Sequence, residues 1–157
     1  MKLKLAMALA ATTLATGAFA EGGDAAAGEK AFKKCKSCHM IQDADGNNIV
    51  KGGKTGPNLF GIVGQQAGAV EGFKYGKDMV AAGEAGLVWT EETFAAYVKD
   101  PKKFLQEFLD SKKAKSKMSF RLKKGGEDVY AYLASLSPAP EAEEPAAEEP
   151  AAEAVSE

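Results

Sequence analysis

Behind Asp24, whose side chain suits a helix cap, Ala27, Ala31 and Phe32 fall at helical spacing, and the pattern predicts a helix from Ala25 to about Lys36. From Asp43 to Gly64 the periodicity disappears. "DADGNN" and "KGGKTGPN" supply turn after turn, so little regular structure is expected there. A short helix is expected over Lys74–Ala82. Thr90 caps a longer one through Lys99, with Phe94, Tyr97 and Val98 on one side; Asp100-Pro101 ends it and opens another to about Leu109. Val129, Tyr132, Leu133 and Leu136 recur at helical spacing over Glu127–Leu136. No alternating apolar run is long enough to propose a sheet. The expectation is an all-α domain of about five helices joined by long, glycine-rich loops, without internal repeats. Its apolar inventory is small for so much loop, and a large buried cofactor would supply the missing core.

The two ends break the pattern. Residues 1–20 carry Lys2 and Lys4, then an apolar run, then Ala18-Phe19-Ala20, the arrangement of a cleaved secretory signal peptide. The apolar part, about a dozen residues, is too short for a membrane span. The mature chain is expected to start at Glu21 and to be exported to a bacterial periplasm. After Pro138 the composition collapses to Pro, Ala and Glu with one Val and one Ser, so residues 139–157 are expected to form a disordered acidic tail, leaving 21–138 as one small domain. Of two roles for that tail, weak competition for a basic face and plain solubility, composition favours solubility.

Charge changes the picture once these pieces are separated. The chain has 20 basic and 22 acidic residues; without Lys2, Lys4 and the seven glutamates after Pro138, residues 21–138 keep 18 and 15, a formal +3. The lysine pairs at Lys33, Lys102, Lys112 and Lys123 read most simply as solvated helix faces. They lack the aromatic interleaving of a nucleic-acid binder, and export argues against nucleic acid as well.

Both cysteines and the only histidine lie within "CKSCHM". A C-x-x-C disulfide or redox pair suits an oxidising compartment, but no βαβ pattern surrounds it and the pair stands at a helix end, not a helix start. A structural zinc site needs four ligands, and no further Cys or His exists to complete one. Covalent haem attachment fits: C-x-x-C-H needs each of Cys35, Cys38 and His39 once, two for thioether bonds and one for the iron. The opposite axial position then decides the chemistry. Left open it invites ligands or peroxide; closed by methionine it raises the reduction potential. Met40 adjoins His39 and cannot reach the other face. Met79 reads as an apolar member of a short helix. Met118, in the polar "KSKMSF", has no helical stripe to join, and the pattern favours it over Met79.

With "GEKAF", "CKSCH", "TGPNLFG", "FKY", "VWTEETF", "YVKDPKKF", "KMSF" and "DVYAYL" in this order, the chain resembles class I cytochromes c, in particular the bacterial cytochrome c-550 and cytochrome c2 type, over nearly all of Glu21–Ser137. The resemblance implies a small cytochrome c fold around one haem c attached through Cys35 and Cys38, with His39 and Met118 as iron ligands. It implies that the Pro57 carbonyl accepts a hydrogen bond from His39, that Tyr97 bonds near the Met118 sulfur, and that Tyr75 and Trp89 reach the haem propionates. Without it, core packing is the simpler role for these three aromatics. Gly28 and Phe32 are expected to cross Val129, Tyr132 and Leu133. Gln65 stands where many relatives carry an arginine that holds a propionate, so that propionate is expected to titrate at higher pH.

The function implied is a periplasmic, monomeric, non-enzymatic electron carrier. Its lysines (candidates Lys33, Lys34, Lys36, Lys54, Lys102, Lys103, Lys117 and Lys123) would meet acidic docking faces of a quinol-cytochrome c reductase, a terminal oxidase, or periplasmic dehydrogenases and reductases. The alternatives are a haem enzyme or gas-binding cytochrome with an open sixth site, and a C-x-x-C thiol-disulfide oxidoreductase.

Overall fold

The computed structural model describes residues 22–137. The expected signal peptide, Glu21 and the tail after Pro138 lie outside the described residues. Five helices and one small hairpin follow one another: α1 (Ala25–Phe32), β1 (Ile41–Gln42), β2 (Asn48–Val50), α2 (Lys77–Glu84), α3 (Glu91–Lys99), α4 (Pro101–Phe108) and α5 (Gly126–Leu136).

Asp24 caps α1, its Oδ1 accepting the N–H groups of Ala26 at 2.8 Å and Ala27 at 3.2 Å. The helix stops at Phe32, short of the expected Lys36. The chain beyond it tightens into turns, Lys34 N–H bonding to the Ala31 carbonyl at 3.1 Å and Cys35 N–H to the Phe32 carbonyl at 2.8 Å, three residues back instead of four, and the carbonyls of Lys36 and Cys38 go to the N–H groups of Gly53 and Gly56. A sheet was not expected, yet β1 and β2 pair antiparallel, Ile41 opposite Val50 and Gln42 opposite Asn48. Strands of two and three residues are too short to show alternation. Asp43 organises the turn between them, its Oδ1 accepting Asp45 and Asn47 N–H groups at 3.0 and 2.8 Å, with Gly46 at φ 85°.

Helix α2 begins at Lys77, three residues later than expected, behind Gly76, which offers no side-chain cap. Thr90 and Thr93 form a reciprocal capping box on α3. Asp100 both ends α3 and caps α4, its Oδ1 accepting Lys103 N–H at 3.2 Å with Pro101 in the first turn. The expected crossing of Gly28 and Phe32 with the last helix is present. A Cβ on Gly28 would lie 1.9 Å from the Asp128 carbonyl oxygen, so only glycine admits this approach. The Phe32 and Tyr132 rings meet at 5.7 Å. Helix α3 packs on α5 where Gly126 faces Ala95. Helix α1 thus packs on α5, and α5 on α3, which also meets α4.

Candidate functional site

After Phe32 the backbone turns twice, Cys38 N–H bonding to the Cys35 carbonyl at 3.0 Å and His39 N–H to the same oxygen at 2.9 Å. These turns bring Cys35, Cys38 and His39 to one cavity of about 250 Å³, which Pro57, Tyr75, Trp89, Tyr97 and Met118 also line. All eight residues expected at the site therefore meet there. Met79 lines it too, buried in α2, whereas Met40 does not. Apolar side chains from four directions complete the lining: Leu59 and Ile62, Phe94 and Val98, Leu122, and Val129.

His39 is held firmly. Its Nδ1 lies 2.9 Å from the Pro57 carbonyl oxygen, which can only accept, so Nδ1 carries the proton and Nε2 is the nitrogen left to bind a metal. Burial pulls the imidazole pKa below its ordinary value, outweighing the Pro57 bond, and the ring stays neutral as a ligand must. Gly56 completes the cradle: a Cβ there would stand 2.3 Å from His39 Cε1 and 2.7 Å from Nε2. Around it, Asn58 ties the Pro57 loop to the first strand, accepting Gln42 N–H at 2.9 Å and donating to the Gln42 carbonyl at 2.7 Å.

The two cysteines are unbridged and unlike each other. Burial pushes the Cys35 thiol up to about 11, whereas the exposed Cys38 is lowered by the hydroxyls of Thr55 and Ser37. A nucleophilic redox pair needs a thiolate held by a helix N-terminus; here the pair follows the C-terminal end of α1, in a helical architecture.

On the opposite loop, the Tyr97 hydroxyl lies 3.1 Å from Ser116 Oγ, which accepts Met118 N–H at 3.1 Å. The expected bond near the Met118 sulfur thus runs to Ser116, two residues away. Ser116 was missed: a serine within a lysine-rich loop gives no sequence signal of its own. Gly56 was read only as a turn residue, although its place beside Pro57 was the available clue. Burial raises the Tyr97 pKa, and raises that of Tyr75 to about 12. The Trp89 ring packs on Tyr97 at 5.1 Å, and its carbonyl accepts the Tyr130 hydroxyl at 3.0 Å. Gln65 is exposed and outside the cavity lining, one backbone bond from Trp89, whose N–H its carbonyl accepts at 2.9 Å.

Every charged residue lining the cavity is a lysine: Lys34, Lys115 and Lys117. Two of these were among the expected lysines. Lys115 was not, and Lys33, Lys36, Lys54, Lys102, Lys103 and Lys123 are exposed but do not line the opening.

No family model matches the sequence. The chain is 59% identical over 137 residues to cytochrome c-551 of Roseobacter denitrificans, covering 87% of this chain and 97% of that protein. It is 52% identical over 140 residues to cytochrome c-550 of Paracoccus denitrificans, covering 88% and 90%. The chain belongs to the bacterial cytochrome c2 and c-550 family. The crystal structure of cytochrome c2 from Rhodobacter capsulatus superimposes with a TM-score of 0.70 at 63% identity, covering 72% of this chain and 97% of that one. As a member of this family the chain carries one covalently attached haem c and moves single electrons. The residues present fit that group: an apolar cavity, a neutral imidazole presented by Nε2, two thiols one turn apart, and a thioether on the facing loop.

Proposed function

We propose that this cytochrome works in the periplasm as a monomeric electron shuttle, not an enzyme, between a quinol-cytochrome c reductase and a terminal oxidase or periplasmic redox enzymes. Cys35 and Cys38 would hold the haem through thioether bonds, and His39 and Met118 would supply the protein ligands of its iron. One observation carries this reading: His39 and Met118 line the same apolar cavity from separate loops, together with both cysteines. When bound, the haem supplies a one-electron couple, its iron alternating between Fe(II) and Fe(III).

The chain's own residues do the rest. Pro57 and Gly56 fix the imidazole's tautomer and tilt, and Ser116 with Tyr97 steadies the backbone at Met118. A methionine in the sixth position excludes outside ligands and favours a high potential, as does the apolar lining. Tyr75 and Trp89, which line the cavity and carry a hydroxyl and an indole N–H, are suited to hydrogen-bond the propionates. Lys34, Lys115 and Lys117 at the rim offer positive charge to acidic faces of partners, which speeds encounter and keeps complexes salt-sensitive and short-lived.

The test is spectroscopic. The purified protein should be low-spin in both oxidation states and should not bind carbon monoxide when reduced. Met118→Ala should become high-spin and bind it rapidly; Met79→Ala should do neither. Rapid carbon monoxide binding by the unmodified protein would instead mark an open-site haem protein, and titratable thiols without haem a disulfide oxidoreductase.

A further inference from the structure

The rim of the cavity is net basic. Among the described residues the ion pairs are Lys103–Glu107 and Arg121–Asp100, and neither involves a rim lysine. Lys117 is held in place by its Nζ donating to the Lys74 carbonyl at 2.7 Å, which brings Lys74 beside it. Asp78 meets this edge, its Oδ2 accepting the Lys115 N–H at 2.9 Å, and its one charge leaves the edge net positive against Lys34, Lys74, Lys115 and Lys117. Exposed Phe120 adds an apolar flank. A different surface groove, on the outer side of α3 where it meets α5, is lined by Glu91, Glu92 and Glu127 with Lys99 as its cation. The described surface thus includes a basic recess and an acidic one.

Residues 138–157 contain seven glutamates and no lysine or arginine. They follow Ser137, which is anchored: its Oγ accepts Gly61 N–H at 3.1 Å and donates to the Leu133 carbonyl at 2.9 Å. Twenty residues can span up to about 70 Å, against a radius of gyration of about 13 Å for a domain near this size. Every part of the surface is within reach. The acidic groove repels such a segment, and the lysine rim attracts it. Tethering holds it at an effective concentration of about millimolar, so even weak pairing competes with a free partner.

We propose that residues 138–157 are an intramolecular acidic ligand of the lysine rim formed by Lys34, Lys115 and Lys117, which redox partners must displace to dock. Against the solubility role that composition favours stands a cationic edge whose lysines form no ion pair among the described residues. The proposal rests on reading that rim as the docking face. Its consequence is a carrier whose association is damped at low ionic strength, where bare electrostatics would make complexes too long-lived for turnover, and little affected at high salt.

The experiment compares three haem-loaded, reduced proteins: the full chain, the chain ending at Ser137, and the full chain with its seven tail glutamates replaced by glutamine. Amide NMR at about 10 mM ionic strength, where the Debye length is about 30 Å, should show the full chain differing from both variants at Lys34, Ser37, Thr55 and 115–119. The differences should vanish at about 0.5 M salt. Poly-L-glutamate should bind both variants about three- to tenfold more tightly than the full chain at low salt. Shift differences confined to 133–137, or equal polyglutamate affinity for all three proteins, would overturn the tail's role while leaving the docking face intact. Failure of polyglutamate to bind even the shortened chain would overturn both.

Discussion

The hydrogen of the Gly56 α-carbon that faces the His39 ring occupies space that no side chain can share, since a Cβ would stand within 2.3–2.7 Å of three ring atoms. Gly56→Ala must therefore either tilt the imidazole off the Pro57 carbonyl or push the loop outward. Overpacking of this kind costs about 1–3 kcal/mol, and the expected readouts are a lower yield of covalently attached haem and a lower melting temperature. An unchanged yield and melting point would show that the loop yields freely. Tyr130 makes a different kind of prediction. Burial, and then the nearby Glu91 charge, raise its pKa above the ordinary tyrosine value, while its hydroxyl donates to the Trp89 carbonyl. Because the folded pKa exceeds the unfolded one, at about 10, this contribution is complete below about pH 10. It is lost as pH rises through the raised folded value. Tyr130→Phe gives up the hydrogen bond, so it is less stable at pH 7, but denaturant titrations should show a shallower loss of stability above pH 10. A slope equal to that of the unmodified protein would assign the alkaline loss to other groups.

At the scale of elements, caps and punctuation were the legible features. Thr90, Asp100 and Pro101 fix the α3–α4 junction to the residue, because each has a local job that its side chain performs alone. The end of α1 and the β1–β2 hairpin were not legible. At the end of α1 the N–H groups of Lys34 and Cys35 turn to carbonyls three residues back, in a segment tied down by Gly53 and Gly56, and the pairing of Ile41 with Val50 is held by the Asp43 turn and by the more distant Asn58. The site divides the same way. "CKSCH" announced one haem, and the polar setting of "KSKMSF" and then the resemblance pointed to Met118, but Ser116 and Gly56 became visible only when two loops met. The Thr90 cap can be weighed directly. Thr90→Ala removes the acceptor for Thr93 N–H and should cost about 1 kcal/mol, a drop of about 4 °C in melting temperature for a domain of this size; Thr90→Ser should restore most of it. A drop within error for the alanine variant would mean that packing against α5 alone holds the first turn of α3.

For the whole molecule the question is where the core lies. Of the 18 buried apolar residues among those described, nine line the haem cavity: Leu59, Ile62, Met79, Trp89, Phe94, Tyr97, Val98, Leu122 and Val129. Half of the core thus packs against a group the chain does not itself encode. Left unfilled, a cavity of about 250 Å³ costs roughly 6 kcal/mol at about 24 cal/mol per Å³. Small domains have only about 5–15 kcal/mol in total. The cost is comparable with the whole stability, so the loops that close over the site have no independent reason to stay closed. Helices α1 and α5 differ, since their contact at Gly28, Phe32 and Tyr132 involves no cavity-lining residue. The haem-stripped Cys35→Ala/Cys38→Ala chain is therefore expected to lose its cooperative thermal transition and most helical circular dichroism. Hydrogen exchange should leave whatever residual protection survives on α1 and α5, with none at Lys115–Leu122. A haem-free chain that still unfolds cooperatively, within a few degrees of the loaded protein, would mean that the polypeptide core is sufficient alone and that the cavity lining serves redox chemistry only.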